Sequence, residues 1–422
     1  MNMKSTVNPF PPLGELVEPD QPAGVAEAVR TAADARTPVY PIGGGTVGPL
    51  RFAVRPGLGV SLSKLNGLVD YPDRDLTVTV EAGMTVAALG RQLAANRQRL
   101  PVDIPFPDRA TLGGAVAANS GGPRRFGFGT LRDYVLGLKV VDGRGTEFAC
   151  GGRVVKNAAG YDLCKLLIGS WGTLGILTQL TLMVRPMPEA SALVACDVSD
   201  FQRAEELLRE LAGPQVRPAA IEFLVGPAWQ DDPFLARGSE TAVGRLVVGF
   251  EAARAEVEGM VQQLAASWQA NRTTPAVVCD EEALGRWDRL AQTAASAGDS
   301  NGAAVLAVKI CVKPSATMGT IRELLRINRG AVIQSHAGNG VIHARLLLAR
   351  LDDARALLEQ IRRCVAAAQG NLSVESFPAG VEFSAREVWG SPGDAAALMR
   401  ILKQQFDPQG VLNPGRFIFE DS

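Results

Sequence analysis

Hydrophobic positions in the first part of the chain change between helix-like and strand-like spacing. Apolar residues recur at helical intervals over 22–37, which predicts a helix, and a short strand is predicted at 38–42. Residues 76–81 alternate as a strand does, and residues 85–96 are again helical in their spacing. Further strands are expected at 136–141 and 174–183. This alternation of strands, loops and helices is typical of an α+β or α/β domain.

The pattern changes after a proline-containing run at 185–188, which indicates a domain boundary. Two similar halves of alternating strands and helices follow, and they predict a mostly antiparallel sheet with helices on one face, a ferredoxin-like cap. A last helix at 395–405 precedes a tail that we expect to return to the first domain. The predicted strands of the cap are 193–198, 220–225, 244–250, 304–312, 331–335, 341–347 and 372–376, and its helices are 201–211, 252–270, 315–328 and 353–368.

Size and charge limit the function. The chain has 422 residues, which suggests two or three domains, and its composition is that of a globular protein. A net charge of -1 offers no basic surplus for nucleic acid or an anionic membrane. No stretch approaches the roughly 20 apolar residues that span a bilayer. We therefore expect a cytoplasmic protein with no nucleic-acid partner, which meets the inner membrane only peripherally and through partner proteins.

The cysteines are scattered. The six cysteines form no C-x-x-C pair and no iron–sulfur spacing, so they are interpreted as buried thiols in a reducing compartment. If this chain passes electrons onward one at a time, a separate iron–sulfur partner must accept them.

The first candidate for chemistry is a glycine cluster directly after the predicted strand at 38–42. Gly43, Gly44, Gly45 and Thr46 place backbone amides without side chains where they could face an anion such as a pyrophosphate. An ordinary glycine-rich turn explains this cluster equally well. It matches neither the dinucleotide fingerprint nor the phosphate-binding loop of nucleotide hydrolases.

Two further glycine clusters make simple turns a poor explanation. Residues 107–122 combine small residues, which would let backbone pack against a large flat ligand, with the hydrogen-bonding side chains of Thr111, Asn119 and Ser120. Residues 169–176 form the third cluster, after a segment that contains Lys156, Asn157 and several other polar residues.

Together the three clusters resemble the FAD-binding oxidase family named for vanillyl-alcohol oxidase and p-cresol methylhydroxylase (PCMH). More narrowly, residues 151–165 and the closing segment 412–417 resemble the FAD-binding subunits of bacterial glycolate oxidases. The resemblance covers about 18–417 and is weakest in the cap. It implies an α+β fold made of a two-subdomain PCMH-type FAD-binding domain and a ferredoxin-like cap. The implied organisation is a flexible leader at 1–17, the FAD-binding domain at 18–188, the cap at 189–376 and a C-terminal segment at 377–422 that returns to the FAD-binding domain.

The resemblance also implies which residues hold FAD. Residues 41–46 would hold the pyrophosphate, residues 108–121 would line the isoalloxazine and ribityl chain, and residues 172–176 would enclose the adenosine half. No His or Cys lies in 42–50 or 108–132, so FAD is expected to be non-covalent, and a bulky residue at Gly44 is expected to abolish its retention. The implied FAD contacts are Pro41, Ile42, Gly43, Gly44, Gly45, Thr46, Asp108, Thr111, Leu112, Gly113, Gly114, Ala117, Asn119, Ser120, Gly121, Gly172, Gly175, Ile176, Asn413 and Arg416.

The two histidines of the chain, His336 and His343, stand seven residues apart across a Gly-Asn-Gly turn. This segment resembles the metal-binding segment of FAD-dependent D-2-hydroxy-acid dehydrogenases, in which a later Glu-His pair supplies a further ligand and a base. Here Glu375 matches that ligand, while Ser376 stands where the base would be. A divalent metal such as Zn²⁺ or Mn²⁺ on His336, His343 and Glu375 is therefore one hypothesis, and a vestigial site is the other.

Two cationic residues flank the histidines. Arg345 follows His343 by two positions, and Lys309 lies on the predicted strand before them; either could pair with a substrate carboxylate, or could simply be a surface charge. The catalytic candidates are His336, His343 and Arg345.

Three functions remain open from the sequence. The first is an FAD-dependent oxidoreductase subunit that acts on the CH-OH group of glycolate or another 2-hydroxy acid, beside a paralogous FAD-binding catalytic subunit and an iron–sulfur subunit. The second is an FAD-binding electron-transfer or assembly subunit without substrate oxidation, which Ser376 favours. The third is a structural subunit without flavin, against which the many retained polar positions argue.

Overall fold

A computed structural model describes residues 13–47, 55–152, 161–213, 215–293 and 304–419. Leader residues 1–12 and residues 153–160 of the quoted glycolate-oxidase motif therefore lie outside the described residues. In the described part the helices are α1 Pro22–Asp34, α2 Val86–Ala94, α3 Leu112–Ala118, α4 Arg125–Phe128, α5 Leu131–Tyr134, α6 Leu163–Leu167, α7 Phe201–Leu211, α8 Arg254–Ala270, α9 Asp280–Thr293, α10 Thr317–Ile327, α11 Asp353–Ala367, α12 Ala385–Trp389 and α13 Ala396–Phe406.

The strands of the same residues run from β1 to β18. They are β1 Leu13–Val17, β2 Val39–Ile42, β3 Gly57–Ser61, β4 Leu68–Asp70, β5 Thr77–Glu81, β6 Gln98–Arg99, β7 Val135–Val141, β8 Glu147–Gly151, β9 Ile176–Met183, β10 Arg185–Pro186, β11 Ala190–Val198, β12 Ala220–Val225, β13 Gly244–Ala252, β14 Ala276–Cys279, β15 Ala304–Cys311, β16 Val332–His336, β17 Val341–Leu348 and β18 Asn371–Ser376.

The chain divides into two compact units. The first unit contains residues 1–121, 130–187 and 382–422, and the second contains residues 122–129 and 188–381. This division differs from the predicted domains at three places: residues 122–129 belong to the second unit, the second unit begins at 188 rather than 189, and the return to the first unit begins at 382 rather than 377. We call the second unit the cap unit.

The first unit has three sheets in its described residues, of which the smallest is the antiparallel pair β10-β6. A parallel sheet has the order β1-β3-β2, and an antiparallel sheet has the order β4-β5-β9-β7-β8. The predicted flexible leader is wrong for residues 13–17, because these residues pair with β3 from Leu13 opposite Gly57 to Val17 opposite Val60. Their mixed, half-exposed pattern gave no strand signal, since an edge strand buries little side-chain surface.

Local signals explain how the glycine clusters of this unit fold. The hydroxyl of Thr111 accepts a hydrogen bond from the Gly114 amide at 3.3 Å and so caps the start of α3. The helix ends at Asn119, whose left-handed backbone (φ 49°) is tolerated by asparagine better than by most residues. The second glycine cluster is therefore a short, capped helix rather than a loop.

The cap unit confirms the predicted mostly antiparallel sheet. In its described residues the order is β14-β11-β13-β12-β16-β17-β15-β18, and every neighbouring pair is antiparallel. Helix α7 has the predicted bounds, because Asp200 caps it by accepting from the Arg203 amide at 2.8 Å and because Ala204, Leu207 and Leu211 form one buried face. The α+β fold class is confirmed.

Candidate functional site

The three glycine clusters and the tail meet in one cleft of the first unit. The cleft encloses about 850 Å³, including space open to solvent. It is lined by Pro41, Ile42, Gly43, Gly44, Gly45, Thr46, Val47, Leu62, Thr111, Gly113, Gly114, Ala117, Ala118, Trp171, Gly172, Gly175, Ile176, Leu177, Asn413 and Arg416. Segments far apart in the sequence therefore converge on one elongated space.

Most of the expected FAD contacts lie in this lining, but five do not. Leu112 is fully buried in the hydrophobic core, because the first residue of α3 points away from the cleft side of Gly114. Asp108 is exposed in the turn before α3. The other three residues outside the lining are Asn119, Ser120 and Gly121.

Gly44 is required for a different reason from the expected one. A Cβ added at Gly44 would overlap the backbone carbonyl oxygen of Arg109 and lie 3.2 Å from the Cα of Ala110. The missing side chain lets the first glycine loop pack against the chain before α3. A bulky residue there would disrupt the walls of the cleft before it met any ligand, so Gly44 is a poor position for testing cofactor contact.

Gly172 keeps two walls of the cleft close together. Its φ is +70°, a region that favours glycine, and an added Cβ would lie 2.9 Å from the Cγ of Pro41. The preceding Trp171 also has a positive φ of 57°, and its amide donates to the Ala117 carbonyl at 2.8 Å. The third glycine cluster is thus tied directly to α3.

The C-terminal tail is held by a buried ion pair. The Nζ of Lys403 lies 2.6 Å from Asp407 Oδ2 and also donates to the carbonyls of Thr173 at 2.9 Å and Leu412 at 3.3 Å. Burial lowers the pKa of Lys403, and the Asp407 carboxylate opposes that shift only in part. Asp407 in turn accepts from the backbone amides of Val411 and Leu412. This pair fixes the tail beside the third glycine cluster.

The fixed tail delivers its polar side chains to the cleft. Asn413 Nδ2 donates to the Trp171 carbonyl at 2.6 Å, and the guanidinium of Arg416 lies 5.1 Å from the centre of the Trp171 ring. Trp171 also contacts Trp389 edge-on at 5.8 Å. An indole therefore forms part of one wall.

A buried amide oxygen of the cleft lining fits a ligand with a hydrogen-bond donor. Asn119 Oδ1 and Asn413 Oδ1 are buried and have no hydrogen-bond partner among the described residues. Buried polar groups are normally paired, so Asn413 Oδ1, which belongs to the cleft lining, is suited to a donor of a bound molecule, whereas Asn119 lies outside that lining. Small residues such as Gly114 and Ala117 leave room for a flat ring, so the residues present fit FAD.

The cap histidines form two separate carboxylate pairs. His336 Nδ1 lies 2.7 Å from Glu222 Oε1, and both side chains are almost fully buried. Gln334 Nε2 donates to the other oxygen of Glu222 at 2.9 Å. His343 Nδ1 lies 3.0 Å from Glu375 Oε2, and the two imidazole rings meet edge-on at 5.3 Å.

This arrangement does not support the predicted metal site. Among the residues that the structure describes, no group of three or more His, Cys, Asp or Glu side chains could hold a metal ion. His336 and His343 each direct Nδ1 to a different carboxylate, so the expected ligand set with Glu375 is not assembled. Glu222 was not predicted as a partner of His336, because it lies on another strand, β12, opposite His336.

His343 and Arg345, together with Gln334, Glu375 and Trp229, line a small pocket that encloses about 230 Å³, including space open to solvent. Arg345, one of the two cations expected to meet a substrate carboxylate, therefore lies at this pocket, and Lys309 is not among its lining residues. Lys309 stands directly opposite His343 in the sheet.

The contacts of the Glu375 carboxylate should make the stability of the cap unit depend on pH. Burial alone would raise the pKa of Glu375, but the nearby His343 and Lys309 outweigh it and hold that pKa below its usual value. A carboxyl with a depressed pKa stabilises the fold above its unfolded pKa, near 4.3, and this contribution is lost as pH falls through the folded pKa. Glu375→Gln should therefore lower the melting temperature at pH 7, and the gap to the wild type should narrow as the pH falls below the unfolded pKa near 4.3. Thermal unfolding of both proteins across this range measures it, and a constant gap would contradict the assignment.

The fold and the glycine-lined cleft define a class of flavin-binding oxidoreductases. Residues 15–151 match the family described as FAD binding domain, and residues 187–417 match the family described as FAD linked oxidases, C-terminal domain. The second match covers more than half of the chain. The chain belongs to the FAD-linked oxidase family, and FAD is the cofactor of that family.

Known relatives agree with this family. The chain is 35% identical over 212 residues to the glycolate oxidase subunit GlcE of Escherichia coli. This match covers 50% of this chain and 59% of the relative. It is 30% identical over 215 residues to the glycolate oxidase subunit GlcD of Bacillus subtilis, which covers 50% of this chain and 45% of the relative. The match thus spans about half the length of these two relatives. A D-2-hydroxyglutarate dehydrogenase of Xanthomonas citri is 31% identical over 94% of this chain and 87% of its own length.

A solved structure shares the fold. An alkyldihydroxyacetonephosphate synthase superimposes with a TM-score of 0.68 over 94% of this chain and 75% of that chain, at 17% identity. The described residues contain no helix that is both long and apolar enough to cross a membrane.

Proposed function

We propose that this chain is the FAD-binding subunit of a 2-hydroxy-acid oxidase or dehydrogenase complex of the glycolate oxidase type. The observation that carries the proposal is the cleft, which joins three glycine clusters and the tail and is lined by Asn413, whose buried amide oxygen has no partner among the described residues. The similarity of the chain to glycolate oxidase subunits and to a D-2-hydroxyglutarate dehydrogenase supports 2-hydroxy acids as the substrate class.

Different walls of the cleft would hold different parts of the cofactor. Residues 41–46 would hold the pyrophosphate with backbone amides, and the small residues of α3 would face the ring system. Asn413 and Arg416 would approach from the tail, with Arg416 held over the Trp171 ring. The described part of this lining contains neither His nor Cys, in accord with non-covalent FAD.

In the cap unit, His343 and Arg345 would meet the substrate. FAD, when bound, supplies an acceptor for the hydride that leaves the substrate carbon. Glu375 orients His343 through Nδ1, so Nε2 would be the atom that takes the hydroxyl proton. Arg345 would pair with the substrate carboxylate. His336 is almost fully buried against Glu222 and would support this arrangement from within the sheet.

The proposed surroundings follow from the same assignment. Reduced flavin would pass its electrons to an iron–sulfur subunit, since the cysteines of this chain have no iron–sulfur spacing. A paralogous FAD-binding subunit would complete the complex, which would work in the cytoplasm and meet the inner membrane only through its partners.

Two observations favour a second function. Ser376 stands where related dehydrogenases carry a basic residue, and both histidines already pair with carboxylates. These features fit an FAD-binding subunit that transfers electrons or assists assembly while a paralogue oxidises the substrate.

The visible absorbance spectrum of the purified chain tests both functions. Under anaerobic conditions we expect a flavin spectrum that bleaches when glycolate or D-lactate is added. A yellow protein that does not bleach would move the assignment to electron transfer or assembly. A colourless protein that cannot be reconstituted with FAD would overturn the proposal as a whole.

A further inference from the structure

Two cysteine thiols lie close together at the edge of the first unit. The Sγ atoms of Cys150, in β8, and Cys164, in α6, are 3.5 Å apart. Cys164 is buried and Cys150 is half-buried. They stand 14 positions apart in the sequence, so neither matches a C-x-x-C motif.

The backbone around the thiols keeps them facing each other. β8 pairs with β7, with Cys150 opposite Leu138, and this pairing fixes one side of the pair. Gly151 follows with φ +70°, and an added Cβ there would lie 2.8 Å from Cys164 Sγ. On the other side, Asp162 caps α6 by accepting from the Lys165 amide at 3.2 Å. The pair is therefore set by elements on both sides.

We propose that Cys150 and Cys164 form a reversible intramolecular disulfide, which makes the pair a redox modification site of this chain. The sulfurs need to approach by about 1.5 Å to reach the bond length of roughly 2.05 Å. The oxidant is a small disulfide of the glutathione class. This assignment is independent of the proposed function, because it needs neither FAD nor a hydroxy acid.

The two thiols have unequal roles in the exchange. The hydrogen bond from Cys164 lowers the pKa of Cys150 despite its burial, while the same contact and burial raise the pKa of Cys164. The Cys150 thiolate attacks the small disulfide, forms a mixed disulfide and releases one small thiol. Cys164 then loses its proton and attacks the Cys150 sulfur, which releases the second small thiol. Two protein thiols are oxidised and one small disulfide is reduced to two thiols.

The disulfide would act on one wall of the cofactor cleft. Helix α6 leads through Ile168 into the third glycine cluster, where the amide of Gly169 donates to the Val116 carbonyl at 3.1 Å. A bond between Cys150 and Cys164 would tie this wall to the antiparallel sheet through β8. Loop closure restricts the unfolded chain, so the oxidised protein should melt at a temperature several degrees above that of the reduced protein.

Peptide mapping of the full chain tests the bond directly. The protein is incubated with glutathione disulfide, blocked with N-ethylmaleimide under denaturing conditions and digested with trypsin. We expect peptides 145–153 and 157–165 to be joined, at the sum of their masses less two hydrogens, and to separate after reduction. Recovery of both peptides in singly alkylated form, under conditions that oxidise the exposed Cys279 and Cys311, would overturn the proposal.

Matched variants separate the disulfide from a general effect of oxidation. Cys150→Ala should abolish both the joined peptide and the rise in melting temperature on oxidation, while Cys279→Ala should keep both. If Cys150→Ala folds poorly, Cys164→Ala serves the same purpose from the other side of the pair. An oxidation-dependent rise in melting temperature that persists in both Cys150→Ala and Cys164→Ala would contradict the assignment.

Discussion

Replacing Lys403 by alanine should destabilise the first unit by about 3–5 kcal/mol, because it leaves the buried Asp407 carboxylate without its cation. Both side chains of this pair are almost fully buried. The Lys403 ammonium also holds the carbonyls of Thr173 and Leu412, which connect the tail to the third glycine cluster. We expect the variant to release flavin at much lower urea concentration than the wild type, as measured by the rise in free-flavin fluorescence.

A control on the same helix isolates the ion pair. Gln404 follows Lys403 but is exposed, so Gln404→Ala should change stability by no more than about 0.5 kcal/mol. Equal losses in the two variants would show that α13 as a whole, rather than the Lys403–Asp407 pair, holds the tail.

Replacing Gly114 by leucine should abolish FAD retention without unfolding the protein. Gly114 lines the cleft, and the nearest atom to an added Cβ outside the helix backbone is Thr111 Oγ1, at 3.0 Å. That hydroxyl ends a side chain, and nothing else lies within 4 Å, so leucine would project into the cleft. Leucine favours a helix over glycine by roughly 0.8 kcal/mol, which offsets part of the cost of displacing the Thr111 hydroxyl that caps α3, so the fold should be retained. The flavin absorbance of the purified protein and its melting temperature measure the two effects separately.

The matched control is the same substitution on another helix. Gly90 lies in α2, is exposed and has no heavy atom within 4 Å of an added Cβ. Gly90→Leu should keep its flavin and gain about the same helix stability. If Gly114→Leu retained a full complement of FAD, the assignment of this cleft to the cofactor would be wrong.

The sequence predicted the cap elements well because their hydrophobic spacing is regular. β12 and α7 have the predicted bounds, since apolar runs and a capping aspartate mark both of them. Helix α9 was missed. Among its described side chains, those of Ala283, Trp287 and Leu290 are fully buried, and the polar residues between them hid their helical spacing.

The geometry of the site was less predictable than its location. The glycine clusters marked the cleft, because close approach of backbone needs residues without side chains. Partners that come from distant segments left no local signal, as with Glu222, which lies 114 positions from His336. Lys403 lies in α13 and Asp407 directly follows that helix, four positions later, which is also the spacing of an exposed helical pair, and only the fold shows that they are buried.

The tail also has a consequence for synthesis. The Val39 amide donates to the Val411 carbonyl, and the Val39 carbonyl accepts from the Asn413 amide, both at 2.8 Å. Residues leave a ribosome in order, at about 5–20 per second, so β2 waits roughly 20 to 70 seconds for these partners. The cap unit is translated in full during that interval. A chain that stops short of residue 413 lacks a backbone partner of Val39 and one wall of the cleft, so tight binding of the cofactor requires that translation has passed residue 413.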